Sequence, residues 1–228
     1  MDKSSAREAI LSSIRTHLAA SSPFDAREGA LHHDDSRSLP VINTPDFIQE
    51  IPTTLVELFK LSLEAVDGKC VVVRNESEVS EAINSIIETI NAKKIAISDS
   101  NEIGRLVNSG REVSVVPSAS EIFSYDVGVS GVQAAIAETG TLVLDSSREK
   151  HRLLSLVPPV HIAVVRASQI FETLGEALAF IQRDQEVSPI VTFVTGPSRT
   201  ADIELTLAIG VHGPQELFVV VHDDGAKR

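Results

Sequence analysis

Three apolar runs, spaced by segments of helical length, constrain this chain more than any other feature. KCVVVR (69–74), KKIAISD (93–99) and REVSVVP (111–117) are near-continuous rather than alternating. Between them lie ESEVSEAINSIIETINA (76–92) and SNEIGRLVNSG (100–110), which read as helices. Strands covered on both faces lose polar–apolar alternation, and parallel strands need long crossovers. The stretch therefore predicts βαβαβ around a parallel sheet. Another helix is expected over DFIQEIPTTLVELFKLSLEAV (46–66), broken or restarted at Pro52.

The second half departs from this rhythm. VQAAIAETGTLVLDS (132–146) holds two apolar runs joined at Glu138-Thr139-Gly140, which predicts a hairpin or tight turn. Then come a strand in VHIAVV (160–165), a helix over SQIFETLGEALAFIQ (168–182), the strand PIVTFVT (189–195), a helix from Thr200 to Ile209 and the strand ELFVVVHD (216–223). The expected fold class is α/β, a three-layer α/β/α sandwich with a mixed, mostly parallel sheet.

Ahead of it, Ile10, Leu11, Ile14 and Leu18 mark one face of a short amphipathic helix, followed by a Pro-, Ser- and Asp-rich linker. The predicted organisation is an N-terminal helix and linker (1–45) and an α/β domain (46–228). His32 and His33, with Asp34 and Asp35, lie in that linker. Adjacent residues rarely converge on one ion, so no metal site is expected there.

The net charge of −12 opposes nucleic acid and anionic membrane surfaces as partners. Cys70 is the one cysteine, so this chain alone cannot ligate an iron–sulfur cluster; within KCVVV it reads as a core residue. No run reaches the roughly 18 apolar residues of a membrane span, and no secretory h-region is seen, so the expected compartment is the cytoplasm.

Three motifs are candidates for chemistry. GPSRTADIE (196–204) leaves a strand and precedes an apolar segment read as a buried helix. Gly196 permits close approach, and Ser198, Arg199 and Thr200 supply donors for a small anion; the alternative is a capped helix start with Arg199 paired to Asp202. In AETGT (137–141), Glu138 can act as base or cation partner beside Thr139 and Gly140, or simply face water from a turn. His161, between apolar neighbours, is either a ligand-facing group or a buried structural histidine. His212, after the predicted helix, has a sufficient structural reason in the helix terminus.

AIAETGTLVL (135–144), RLLSLVPPVHIAVV (152–165), VTGPSRTADIEL (194–205) and GVHGP (210–214), in this order, resemble the LUD-domain family, in particular its lactate-utilisation protein C branch. The resemblance runs over roughly 46–223. It implies a fold like that of ribose-phosphate isomerase, glucosamine-phosphate deaminase and CoA-transferase. It also implies a part in bacterial oxidation of L-lactate to pyruvate beside two cysteine-rich companions that carry iron–sulfur clusters. The ligand expected in this chain is a small carboxylate or a phosphate-bearing molecule, with no cofactor of its own. Two other readings stand beside it: a scaffold or regulatory partner, and an independent isomerase, transferase or cyclo-ligase on a phosphorylated or CoA-linked metabolite. SSREK (146–150) matches no motif.

Overall fold

The computed structural model describes residue 12 and, within 52–225, all residues but 53, 108–109, 147–151, 184–189, 202–206 and 210–212. The chain divides into two units, Met1–Gln49 and Glu50–Arg228, and all the strands and helices described below belong to the second. His32, His33 and His212, and the 146–150 segment beyond Ser146, lie outside the described residues.

Six strands form an all-parallel sheet: β1 (Lys69–Val73), β2 (Lys94–Ile97), β3 (Glu112–Val115), β4 (Val127–Gly131), β7 (Val160–Arg166) and β12 (Glu216–His222). Their spatial order is β1-β12-β7-β4-β2-β3. A second sheet contains β5 (Ala134–Ile136), β6 (Thr141–Asp145), β8 (Ile170–Phe171) and β9 (Val191–Val194), in the order β8-β5-β6-β9. Here β6 runs antiparallel to both β5 and β9, so the expected turn at Glu138–Gly140 is present. The mixed, mostly parallel pairing read from the sequence is thus divided between two sheets.

Among the described residues of the second unit, four α-helices accompany the sheets: α1 (Leu55–Glu64), α2 (Glu76–Thr89), α3 (Asn101–Leu106) and α4 (Leu174–Ile181). Their starts follow from side-chain chemistry. Thr54 and Glu57 make a reciprocal capping box on α1, while Asn75 and Thr173 accept from backbone N–H groups at the starts of α2 and α4.

Period-two alternation sorts the strands onto two cores. Val160, Ile162 and Val164 of β7 join Val79, Ile83 and Ile87 of α2 and Ile103 of α3. Ala163 and Val165 face the other way, onto Phe59 and Leu63 of α1 and onto Ala135 and Leu142 of the second sheet. The far side of that sheet, Ala134, Ile136 and Val143, packs on Ala177 of α4.

Two expectations are corrected. Both ends of the helix expected from Thr200 to Ile209 are strands instead: β10 (Arg199–Ala201) pairs antiparallel with β11 (Leu207–Ile209), and residues 202–206 lie outside the described residues. Short apolar runs carry no reliable period, and LTLAI suits a strand as well as a buried helix. The helix predicted over 168–182 begins only at Leu174, after a 3₁₀ turn (Ala167–Gln169) and β8. Thr173 stops the strand and caps the helix in one residue.

Candidate functional site

The two glycine-bearing motifs close onto the end of α1. Gly140 has φ +63° and Gly196 φ +77°, in the left-handed region. A Cβ at Gly140 would lie 2.3 Å from Leu63 N, and one at Gly196 would lie 2.5 Å from Val66 O. Thr141 Oγ1 lies 2.8 Å from Thr139 Oγ1 and 2.7 Å from Thr195 Oγ1, so a chain of three hydroxyls joins the motifs. This arises from register, because Leu142 pairs with Val194 and places Thr141 opposite Thr195.

Glu138 and Arg199 both have protein partners. Glu138 Oε1 accepts from Leu174 N at 3.2 Å, at the start of α4, and the Glu138 carbonyl accepts from Ser62 Oγ at 3.4 Å. Arg199 is ion-paired with Asp67, in the turn after α1. Ser198 N donates to Pro214 O at 2.8 Å, and Thr200 is paired with Ala208 across the β10–β11 hairpin. AETGT and GPSRT therefore lash the second sheet to α1 and the turn behind it.

His161 is fully buried, and its Nε2 lies 2.8 Å from Ser130 Oγ. Burial pushes its pKa down to about 4, so the imidazole is neutral at physiological pH. Its ring is closed off from solvent within the parallel sheet. Cys70 is half-buried against the α1 side of the core, and burial pushes its thiol up to about 12.

An open cleft of about 450 Å³ lies elsewhere, at the carboxyl ends of the parallel strands. Ser100, Glu102 and Ile103 line it from the segment after β2, and Gly131, Val132 and Gln133 from the end of β4 and the segment after it. Val164, Arg166, Ser168 and Gln169 complete it from β7 and the turn behind. In sheet order β2 and β4 are neighbours, yet the chain leaves β2 toward β3 and leaves β4 toward β7. That reversal is the topological switch point, where open α/β sheets place ligands.

Within the cleft Arg166 donates to Glu102 Oε1 from Nε at 3.2 Å and from Nη2 at 2.7 Å. The carboxylate holds the guanidinium pKa above its ordinary value. Gln169 braces the floor: its Nε2 donates to Val132 O at 2.7 Å and its Oε1 accepts from Arg166 N at 2.9 Å. Ser100 occupies the N-cap position of α3 but makes no side-chain cap bond. The site so assembled offers one cation, one carboxylate, hydroxyls and amides, a set that suits binding of a small anion with polar substituents.

None of Glu138, Thr139, Gly140, His161, Gly196, Ser198, Arg199 or Thr200 lines this cleft. Sequence reasoning missed Arg166 and Glu102, which lie 64 positions apart. A signal for Arg166 was present: a lone arginine ends the apolar run VHIAVV, at the carboxyl end of a predicted parallel strand. Among the described residues no cluster of three or more His, Cys, Asp or Glu is placed to hold a metal ion, and no helix is long and apolar enough to cross a membrane.

Comparison with known proteins agrees with the architecture. The DUF162 family protein of Deinococcus radiodurans, known from its crystal structure, superposes with a TM-score of 0.60 at 26% identity, over 74% of this chain and 96% of that one. An uncharacterized protein of Neisseria meningitidis serogroup B is 46% identical over 103 residues, 44% of each chain. Lactate utilization protein C of Bacillus licheniformis is 42% identical over 103 residues, 43% of each chain. Both alignments thus span less than half of the relatives' length. Lactate utilization protein C of Oceanobacillus iheyensis is 29% identical over 192 residues, 80% of this chain and 76% of its own length. The LUD domain model matches residues 56–222, which include every strand of the parallel sheet. With that span of sequence and this fold, the chain belongs to the LUD domain family.

Proposed function

We propose that this chain is a cytoplasmic subunit of a system that oxidises L-lactate to pyruvate, working beside iron–sulfur partner proteins. The observation that carries the reading is the alignment with lactate utilization protein C of Oceanobacillus iheyensis across 80% of the chain. The sequence is consistent with a division of labour, since one half-buried cysteine cannot ligate a cluster. Electron transfer then belongs to the partners, and this subunit contributes a site for a small anionic ligand. The cleft at the switch point, with Arg166 in it, supports that assignment better than Arg199, which does not line the cleft.

Deleting the gene tests the reading by growth on L-lactate as sole carbon source. The expected result is loss of growth, restored by the intact gene, with normal growth on pyruvate. Unimpaired growth on L-lactate would overturn it. A tagged chain purified from lactate-grown cells should bring down proteins with iron–sulfur absorbance.

A further inference from the structure

We propose that the switch-point cleft binds a small monocarboxylate, which takes the place of Glu102 on the Arg166 guanidinium. The inference rests on the lactate-system reading for its choice of L-lactate as first probe.

Glu102 already shows that the guanidinium accepts a carboxylate in this position. Its pairing is incomplete, because Nε and Nη2 both donate to the same oxygen, Oε1. A free carboxylate can present two oxygens to the fork and form the parallel pair of bonds that arginine prefers. Both side chains of the ion pair are well exposed, 47% for Arg166 and 38% for Glu102. Pairs so exposed hold weakly, so exchange meets little opposition, and the released Glu102 returns to water.

Charge decides the class of ligand. Glu102 is the carboxylate bonded to Arg166, and Asp224 and Glu76 act on the guanidinium at longer range. A monocarboxylate that replaces Glu102 leaves the local charge as it was, whereas a phosphate dianion adds one more negative charge within reach of Asp224 and Glu76. The site thus selects a monocarboxylate over a phosphorylated or CoA-linked molecule. Ser100, whose hydroxyl makes no cap bond, lies in the same lining and suits a hydroxyl or keto substituent beside the carboxylate.

Titration calorimetry on the full chain, with L-lactate, pyruvate and inorganic phosphate as probes, tests the proposal. Wild type should bind both carboxylates and no phosphate. Glu102→Gln removes the competitor's charge and should tighten carboxylate binding about threefold or more. Arg166→Ala and Arg166→Lys should each weaken it about tenfold or more, since a point charge does not replace the fork. Unchanged binding in Arg166→Ala overturns the site, weakened binding in Glu102→Gln overturns the exchange, and phosphate binding overturns the ligand class. Side-chain amide resonances of Gln133 and Gln169 in wild-type protein should move with added L-lactate, a readout that needs no variant. If neither carboxylate binds or moves them while the gene is still required on L-lactate, this inference falls and the lactate-system reading stands. If carboxylates bind but growth needs no such gene, the reverse holds.

Discussion

Ser130 Oγ and His161 Nε2 meet 2.8 Å apart on adjacent parallel strands, with both side chains fully buried. The imidazole is neutral there, its pKa lowered by burial from 6.5 to about 4. The unfolded chain therefore binds more protons than the folded one between those values. Stability is full above about pH 6.5 and falls as pH drops toward 4, by up to about 3 kcal/mol. Urea unfolding followed from pH 7 to pH 4 should show this loss, and His161→Gln should flatten the slope. An equal slope in both proteins would remove His161 as the cause.

Glycine substitutions separate backbone conformation from close approach. Gly110 has φ +64° with nothing within 4 Å of an added Cβ, so Gly110→Ala carries the conformational cost alone, about 1–2 kcal/mol. Gly140→Ala adds a collision with the backbone of Leu63, and Gly196→Ala one with Val66. Each should lose about 1–3 kcal/mol more than the Gly110 variant, measured by chemical denaturation. Equal losses at all three positions would mean that α1 gives way.

Arg199→Ala should be nearly silent in stability. Its partner Asp67 is 74% exposed, and surface pairs contribute about 0–1 kcal/mol. Growth on L-lactate should survive this change and fail with Arg166→Ala. The opposite pattern would return the ligand to the GPSRT motif.

Removal of residues 1–49 should leave a domain with one cooperative thermal transition. The boundary falls between Gln49 and Glu50, and the capping box of α1 lies beyond it at Thr54 and Glu57. Loss of cooperativity in the truncated protein would place the N-terminal segment within the same folding unit.

Local chemistry explains which features are legible in the sequence. Runs such as VHIAVV and ELFVVVHD declare doubly covered strands, and Glu138-Thr139-Gly140 declares a turn, because each signal is complete within a few residues. LTLAI (205–209) is too short to show a period, so it reads as a helix where Leu207–Ile209 pairs as a strand with Arg199–Ala201. The motif residues Gly140, Gly196 and Thr141 stand out in the sequence, and in the structure each meets a conformational or packing demand. The cleft is invisible for a different reason. Glu102 and Arg166 belong to segments brought together by strand order, and strand order is set by the whole sheet.

That strand order also governs how the chain can be made. β1 pairs within the parallel sheet only with β12, and their ends, Lys69 and Glu216, are 147 positions apart. A ribosome delivers β1 early and its neighbour last, so throughout elongation one flank of the nascent sheet waits for a strand not yet synthesised. β12 completes the sheet by pairing with β7 on one side and with β1 on the other. A transcript cut short before residue 216 therefore leaves the β7 edge of the strands β7-β4-β2-β3 open and β1 without its sheet partner.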